Sequence, residues 1–83
     1  MSVDHLRRVR AIADYQFGRG AGEALFPPGV EIKTSRDGRL PRQVYLEGKL
    51  LASIRPHDGL LALTIEGARR LVKHVKPPRG RVV

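Results

Sequence analysis

Three turn signals limit what this chain can fold into. Ser35-Arg36-Asp37-Gly38-Arg39, Glu47-Gly48-Lys49 and Pro56-His57-Asp58-Gly59 each combine a glycine with polar residues that favour reversal of the backbone. They divide residues 30–63 into four short runs. Val30–Thr34 alternates, with Val30 and Ile32 on one face and Glu31 and Lys33 on the other. In the second run Pro41 delays the strand to Arg42, and Val44 and Leu46 oppose Gln43, Tyr45 and Glu47. In the third, Leu50, Ala52 and Ile54 oppose Leu51, Ser53 and Arg55. The fourth, Leu60–Leu63, is apolar on both faces, which predicts the best covered strand. No connection is long enough for the crossover that parallel strands require, so the runs must pair as successive antiparallel hairpins.

A helix precedes this meander. Leu6, Val9, Ile12, Ala13, Gln16 and Phe17 recur at three- and four-residue spacing and share one face, while Asp4, Arg7, Arg8, Ala11 and Asp14 lie opposite. Gly18, Gly20 and Gly22 break the pattern, as glycine tolerates the left-handed backbone that closes a helix. A dinucleotide-type phosphate loop should follow a strand and open a long helix. This one follows a helix and precedes a single turn, Glu23–Phe26, halted by Pro27-Pro28-Gly29, so it reads as a helix terminator. Phe17 and Phe26 read as core. A second helix begins after Thr64, a capping residue. Its apolar stripe is Ile65, Ala68, Leu71, Val72 and Val75, with Arg69, Arg70, Lys73 and Lys76 outside. The predicted class is α+β, with an N-terminal helix packed on a curled four-stranded antiparallel meander and a C-terminal helix, as in cystatin-like folds.

At 83 residues the chain makes one small domain. It has no cysteine, which excludes disulfides and thiolate metal sites. His5, His57 and His74 lack the close spacing of metal ligands. His57-Asp58 has no accompanying nucleophile, and Asp-Gly already explains the aspartate as a turn residue. No catalytic residue, metal or cofactor is expected. No apolar run is long enough to span a membrane, and no leader is evident, so the expected location is the cytoplasm.

Charge is more informative. Sixteen Lys and Arg against eight Asp and Glu give +8, and arginine outnumbers lysine twelve to four. Residues 69–83 contain six of these cations and no carboxylate. Such a domain attracts polyanions and releases their condensed counterions. The predicted RNA-contacting residues are Arg69, Arg70, Lys73, Lys76, Arg79 and Arg81, with Arg7, Arg8 and Arg10 as a second patch. Aromatics are few, so contact with RNA phosphates is favoured over base stacking; Tyr45 offers at most one platform.

Val9-Arg10-Ala11-Ile12-Ala13-Asp14-Tyr15-Gln16-Phe17-Gly18, followed by Gly20-Ala21-Gly22, resembles the start of the pre-PUA domain. Asp58-Gly59-Leu60, Leu63-Thr64 and Gly67-Ala68-Arg69-Arg70-Leu71 extend the resemblance, which covers roughly residues 5–76. Pre-PUA domains stand before the RNA-binding PUA domain in archaeal tRNA-guanine transglycosylase, the enzyme of archaeosine formation, and in related RNA-modification proteins. The resemblance implies a pre-PUA-like domain at 1–76 and a basic linker at 77–83 leading towards a PUA domain. It also implies an accessory, non-catalytic role in tRNA modification, partnered by a PUA domain or tRNA-modifying enzyme in the same chain or another. The competing expectation is a docking module that positions a neighbouring domain or subunit through Leu51, Leu61, Val82 and Val83.

Overall fold

The computed structural model describes residues 3–74. Helix α1 spans Val3–Phe17 and carries Asp4 in its first turn, where a carboxylate suits the helix dipole. Val9 and Ala13 are fully buried, with Leu6, Ile12 and Phe17 packed beside them, as the stripe requires. The helix stops where Gly18 turns to φ 110° and its N–H donates to the Asp14 carbonyl at 2.9 Å. Gly20, at φ 88°, then opens the short helix α2, Ala21–Leu25. Gly22 differs from the other two glycines. It is helical and buried, and a Cβ there would collide with the Arg10 backbone. Its role is the close crossing of α1 and α2, not reversal of the chain. Leu25 and Phe26 follow, both fully buried.

Strands β1 (Glu31–Thr34), β2 (Pro41–Leu46), β3 (Lys49–Ile54) and β4 (Leu61–Leu63) form one antiparallel sheet in the order β1-β2-β3-β4. Pairing begins at Pro41, opposite Thr34, one residue earlier than Pro41 was expected to allow; a first strand position beside a register shift tolerates the missing donor. In the β2–β3 turn both Glu47 and Gly48 take positive φ, 53° and 81°, the geometry that matches strand twist.

The β2–β3 ladder shifts between Val44 and Tyr45, which pair with Ala52 and Leu50 and leave Leu51 as the extra residue. Leu51 therefore turns inward beside Ala52, and the two are only 2% and 0% exposed. Simple alternation placed them on opposite faces. β4 is also not the best covered strand. It is a three-residue edge in which Leu61 is buried and Ala62 exposed. Gln16 protects that edge. Its amide oxygen accepts from the Leu61 N–H at 2.6 Å, and its Nε2 donates to the Leu61 carbonyl at 3.2 Å, as a further strand would.

Helix α3 spans Ile65–His74. Thr64 caps it, its hydroxyl accepting from the Gly67 N–H at 3.2 Å, and its own N–H donates to the Leu51 carbonyl at 3.0 Å. Gly67 is buried so tightly on that strand that a Cβ would collide with the Leu51 carbonyl. These two anchors set the rotation of α3. Gly67, Arg70 and Leu71 face the domain, while Ile65, Ala68 and Val72 face away. The expected stripe is thus split: Leu71 packs against the core, whereas Ile65 is 73% and Val72 67% exposed; Val75 lies outside the described residues. The core gathers Val9, Leu25, Phe26, Val44, Leu51 and Leu61 between helices and sheet.

Candidate nucleic-acid interface

The expected phosphate-contacting residues fall into three groups. Arg7 and Arg8 stand exposed on α1, and Arg69 and Lys73 on α3, with Arg69 Nη1 3.6 Å from Glu66 Oε2. Arg10 and Arg70 do not join them. Arg10 is half-buried, and its Nε donates to the Phe26 carbonyl at 2.9 Å, tying α1 to the chain after α2. Arg70 Nε and Nη2 reach the Ala24 carbonyl at 3.2 and 3.0 Å, and Nε lies 3.3 Å from that of Leu25. A guanidinium at these carbonyls satisfies acceptors that a helix terminus leaves open and opposes the dipole of α2. Both arginines were expected to face RNA on charge placement alone. The fold spends them on its own backbone instead. Lys76, Arg79 and Arg81 lie outside the described residues.

The glycine corner carries its own anion. Asp14 Oδ1 accepts from the Gly22 N–H at 2.7 Å, so a carboxylate occupies the place of a would-be phosphate. The corner is a helix terminator. Around it lies a groove of about 580 Å³ in which Arg7, Arg10 and Arg19 alternate with Asp14 and Glu23. A second groove, about 790 Å³, separates α3 from the β2–β3 turn. Lys49, Arg69 and Lys73 rim it, together with Glu47 and Glu66, and Leu46, Ile65 and Val72 line its apolar part.

The aromatic residues divide in a way that alternation did not reveal. Tyr45 is half-buried, and Lys33 Nζ sits 5.2 Å from its ring centroid, so a cation of this chain already covers that platform. Tyr15 is 83% exposed near the end of α1.

The His57-Asp58 pair belongs to its turn. Asp58 Oδ1 accepts from the Leu60 N–H at 3.0 Å, and both carboxylate oxygens meet Arg55, at 3.3 Å to Nε and 2.6 Å to Nη2. The Leu60 amide foremost, then the Arg55 hydrogen bond, hold the carboxyl below its ordinary value. Among the described residues no three His, Asp or Glu side chains gather as metal ligands, and no helix is long and apolar enough to cross a membrane.

A two-helix-capped antiparallel sheet with mixed cationic grooves and a glycine-closed first helix defines a small basic α+β module. Residues 7–78 match the patch-forming domain C2 of tRNA-guanine transglycosylase, and the chain belongs to that family. Among its relatives is a tRNA-guanine(15) transglycosylase from Pyrococcus abyssi, 53% identical over 78 residues, which is 94% of this chain and 13% of the relative. One of the same name from Methanothermobacter thermautotrophicus is 49% identical over 81 residues, 98% of this chain and 12% of the relative. Another, from Thermoplasma acidophilum, is 40% identical over 78 residues, or 94% of this chain and 12% of the relative. The chain thus spans about one-eighth of the length of these relatives.

Proposed function

We propose that this domain is a non-catalytic accessory module of archaeosine-type tRNA-guanine transglycosylation. In this reading it holds tRNA by its phosphates while catalysis and base recognition occur elsewhere. The observation that carries the reading is the family match over residues 7–78, in relatives named for a tRNA substrate. The charge of +8 supports it, since phosphate contact needs cations and no base-specific pocket. On this reading the domain corresponds to the pre-PUA domain and works beside a PUA domain, with residues 77–83 as the connecting basic linker. The contacting side chains are Arg69 and Lys73, continued by Lys76, Arg79 and Arg81, with Arg7 and Arg8 on α1. Arg10 and Arg70 act indirectly, by holding the helices in place.

Binding of tRNA by the isolated domain should be weak and insensitive to sequence. If it neutralises roughly four to six phosphates, log affinity falls with log salt at a slope of about −3 to −5. Arg69→Ser with Lys73→Ser should flatten the slope by about two units while the melting temperature is kept. A folded double variant with the original affinity and slope would remove these residues from the interface.

The outward face of α3 favours a second role for the same domain. Leu51 and Leu61, expected as docking residues, are 2% and 4% exposed and serve the core; Val82 and Val83 lie outside the described residues. Ile65, Ala68 and Val72 beside Leu46 replace them as an apolar strip. In this role the strip packs on another segment of a transglycosylase. Ile65→Lys with Val72→Lys should leave the melting temperature of the domain nearly unchanged and abolish its association with the remaining transglycosylase segments in size-exclusion chromatography. Association that survives the change would refute docking through this face.

A further inference from the structure

We propose that a third cleft, formed by Arg8 of α1, Arg42 of β2 and Arg55 just after β3, receives a backbone phosphate of RNA. This deepens the RNA-binding reading above, on which the identity of the polymer rests. Arg8 lies on a helix far in sequence from the β2–β3 hairpin that carries the other two, yet all three guanidinium-bearing residues line one cavity of about 140 Å³. Ile12, Leu40 and Ile54 complete its wall. The volume is small beside the roughly 300–1,000 Å³ that encloses a drug-sized ligand. It suits a single anionic group better than a nucleobase.

The electrostatics separate this cleft from the other two. Each of those is lined by two carboxylates, Asp14 and Glu23 in one and Glu47 and Glu66 in the other. No carboxylate lines the arginine cleft. The acid of the adjoining turn, Asp58, does not line the cleft: it grips Arg55 through both oxygens and is itself fixed by the Leu60 N–H. That pairing orients Arg55 and offsets its positive charge. Arg8 is exposed and Arg42 half-buried, so neither is shut off from solvent. The other wall is held in place as well. His5 Nε2 lies 3.0 Å from the Gly38 carbonyl, tying α1 to the β1–β2 loop. That loop carries Arg36 and Arg39, the latter with its Nε 4.0 Å from Asp37 Oδ2, while Asp37 Oδ1 accepts from Ser35 Oγ at 2.6 Å and the Arg39 N–H at 3.1 Å.

Arginine forks match phosphate oxygens in pairs, and an apolar wall weakens the competition from water. Tyr15 points to a nucleic acid over a lone anion. It lies seven residues beyond Arg8, on the same side of α1, and its ring is 83% exposed for stacking.

The test compares tRNA binding by the wild-type chain with that of Arg8→Ser, Arg8→Ser with Arg42→Ser, and Arg69→Ser with Lys73→Ser. In parallel, inorganic phosphate is titrated while the arginine Nε–Hε resonances of the wild type are followed by NMR. The cleft predicts about tenfold weaker tRNA binding for Arg8→Ser. It predicts a slope flattened by about two units in the double variant, and selective phosphate-induced shifts at Arg8, Arg42 and Arg55. If tRNA binds but Arg8→Ser, which changes only an exposed side chain, binds as the wild type does, the cleft is refuted and the RNA reading stands. If tRNA does not bind but phosphate shifts the three arginines, the anion site stands and the RNA reading fails. Absence of those shifts in the folded wild type overturns the site in either case.

Discussion

Arg69 and Arg70 are neighbours in sequence with opposite duties. Arg69 projects from α3 beside Glu66, while Arg70 reaches back to the Ala24 and Leu25 carbonyls. Removing the first leaves nothing buried unsatisfied; removing the second strips a charged donor from half-buried carbonyls. Arg70→Ala should therefore cost about 1–3 kcal/mol, and Arg69→Ala less than about 0.5 kcal/mol. Chemical denaturation of the two variants checks this, and equal losses would contradict the assignment. The difference was not legible in the sequence. Helical spacing ranks both positions as polar, and only the rotation of α3, fixed by Gly67 on the Leu51 backbone, decides which one turns inward. The glycines were half legible for a similar reason. Gly18 and Gly20 end a visible stripe, but Gly22 answers to Arg10 on another helix, a contact that local pattern does not contain.

At the scale of elements, both main helices and all four strands could be read from periodicity and turn chemistry. What could not be read was orientation wherever a bulge or an anchor intervenes. One extra residue in β3 sends both Leu51 and Ala52 into the core, and the carbonyl of Leu51 then receives Thr64 at the start of α3. The outward apolar strip of α3 follows from that chain of contacts. The packing centre shifts too. Phe17 is only half-buried, whereas Phe26 is fully enclosed beside Leu25 and Val44. Phe26→Ala should cost about 3–5 kcal/mol, most of the stability of a domain this small. Phe17→Ala should cost distinctly less. Thermal melts of the pair decide the order, and a larger loss at Phe17 would overturn the picture of the core.

For the whole molecule, the sequence showed the excess of cations but not their division into grooves. Arg42 and Arg55 escaped notice because they are isolated in the chain, and only the closing of the sheet end beneath α1 brings them to Arg8. Lys49 likewise joins Arg69 and Lys73 only across the groove between α3 and the β2–β3 turn. Net charge and the resemblance pointed towards RNA; the geometry supplies the surfaces on which that reading can be tested. The most direct measurement is ultraviolet crosslinking of tRNA to the wild-type chain, with the crosslinked peptides identified by mass spectrometry. A tRNA-holding accessory domain should yield crosslinks on the exposed side of α1, including Tyr15, and on α3 around Arg69 and Lys73, all lost at high salt. A folded chain that gives no crosslinks at low salt, with tRNA in large excess, would contradict the account.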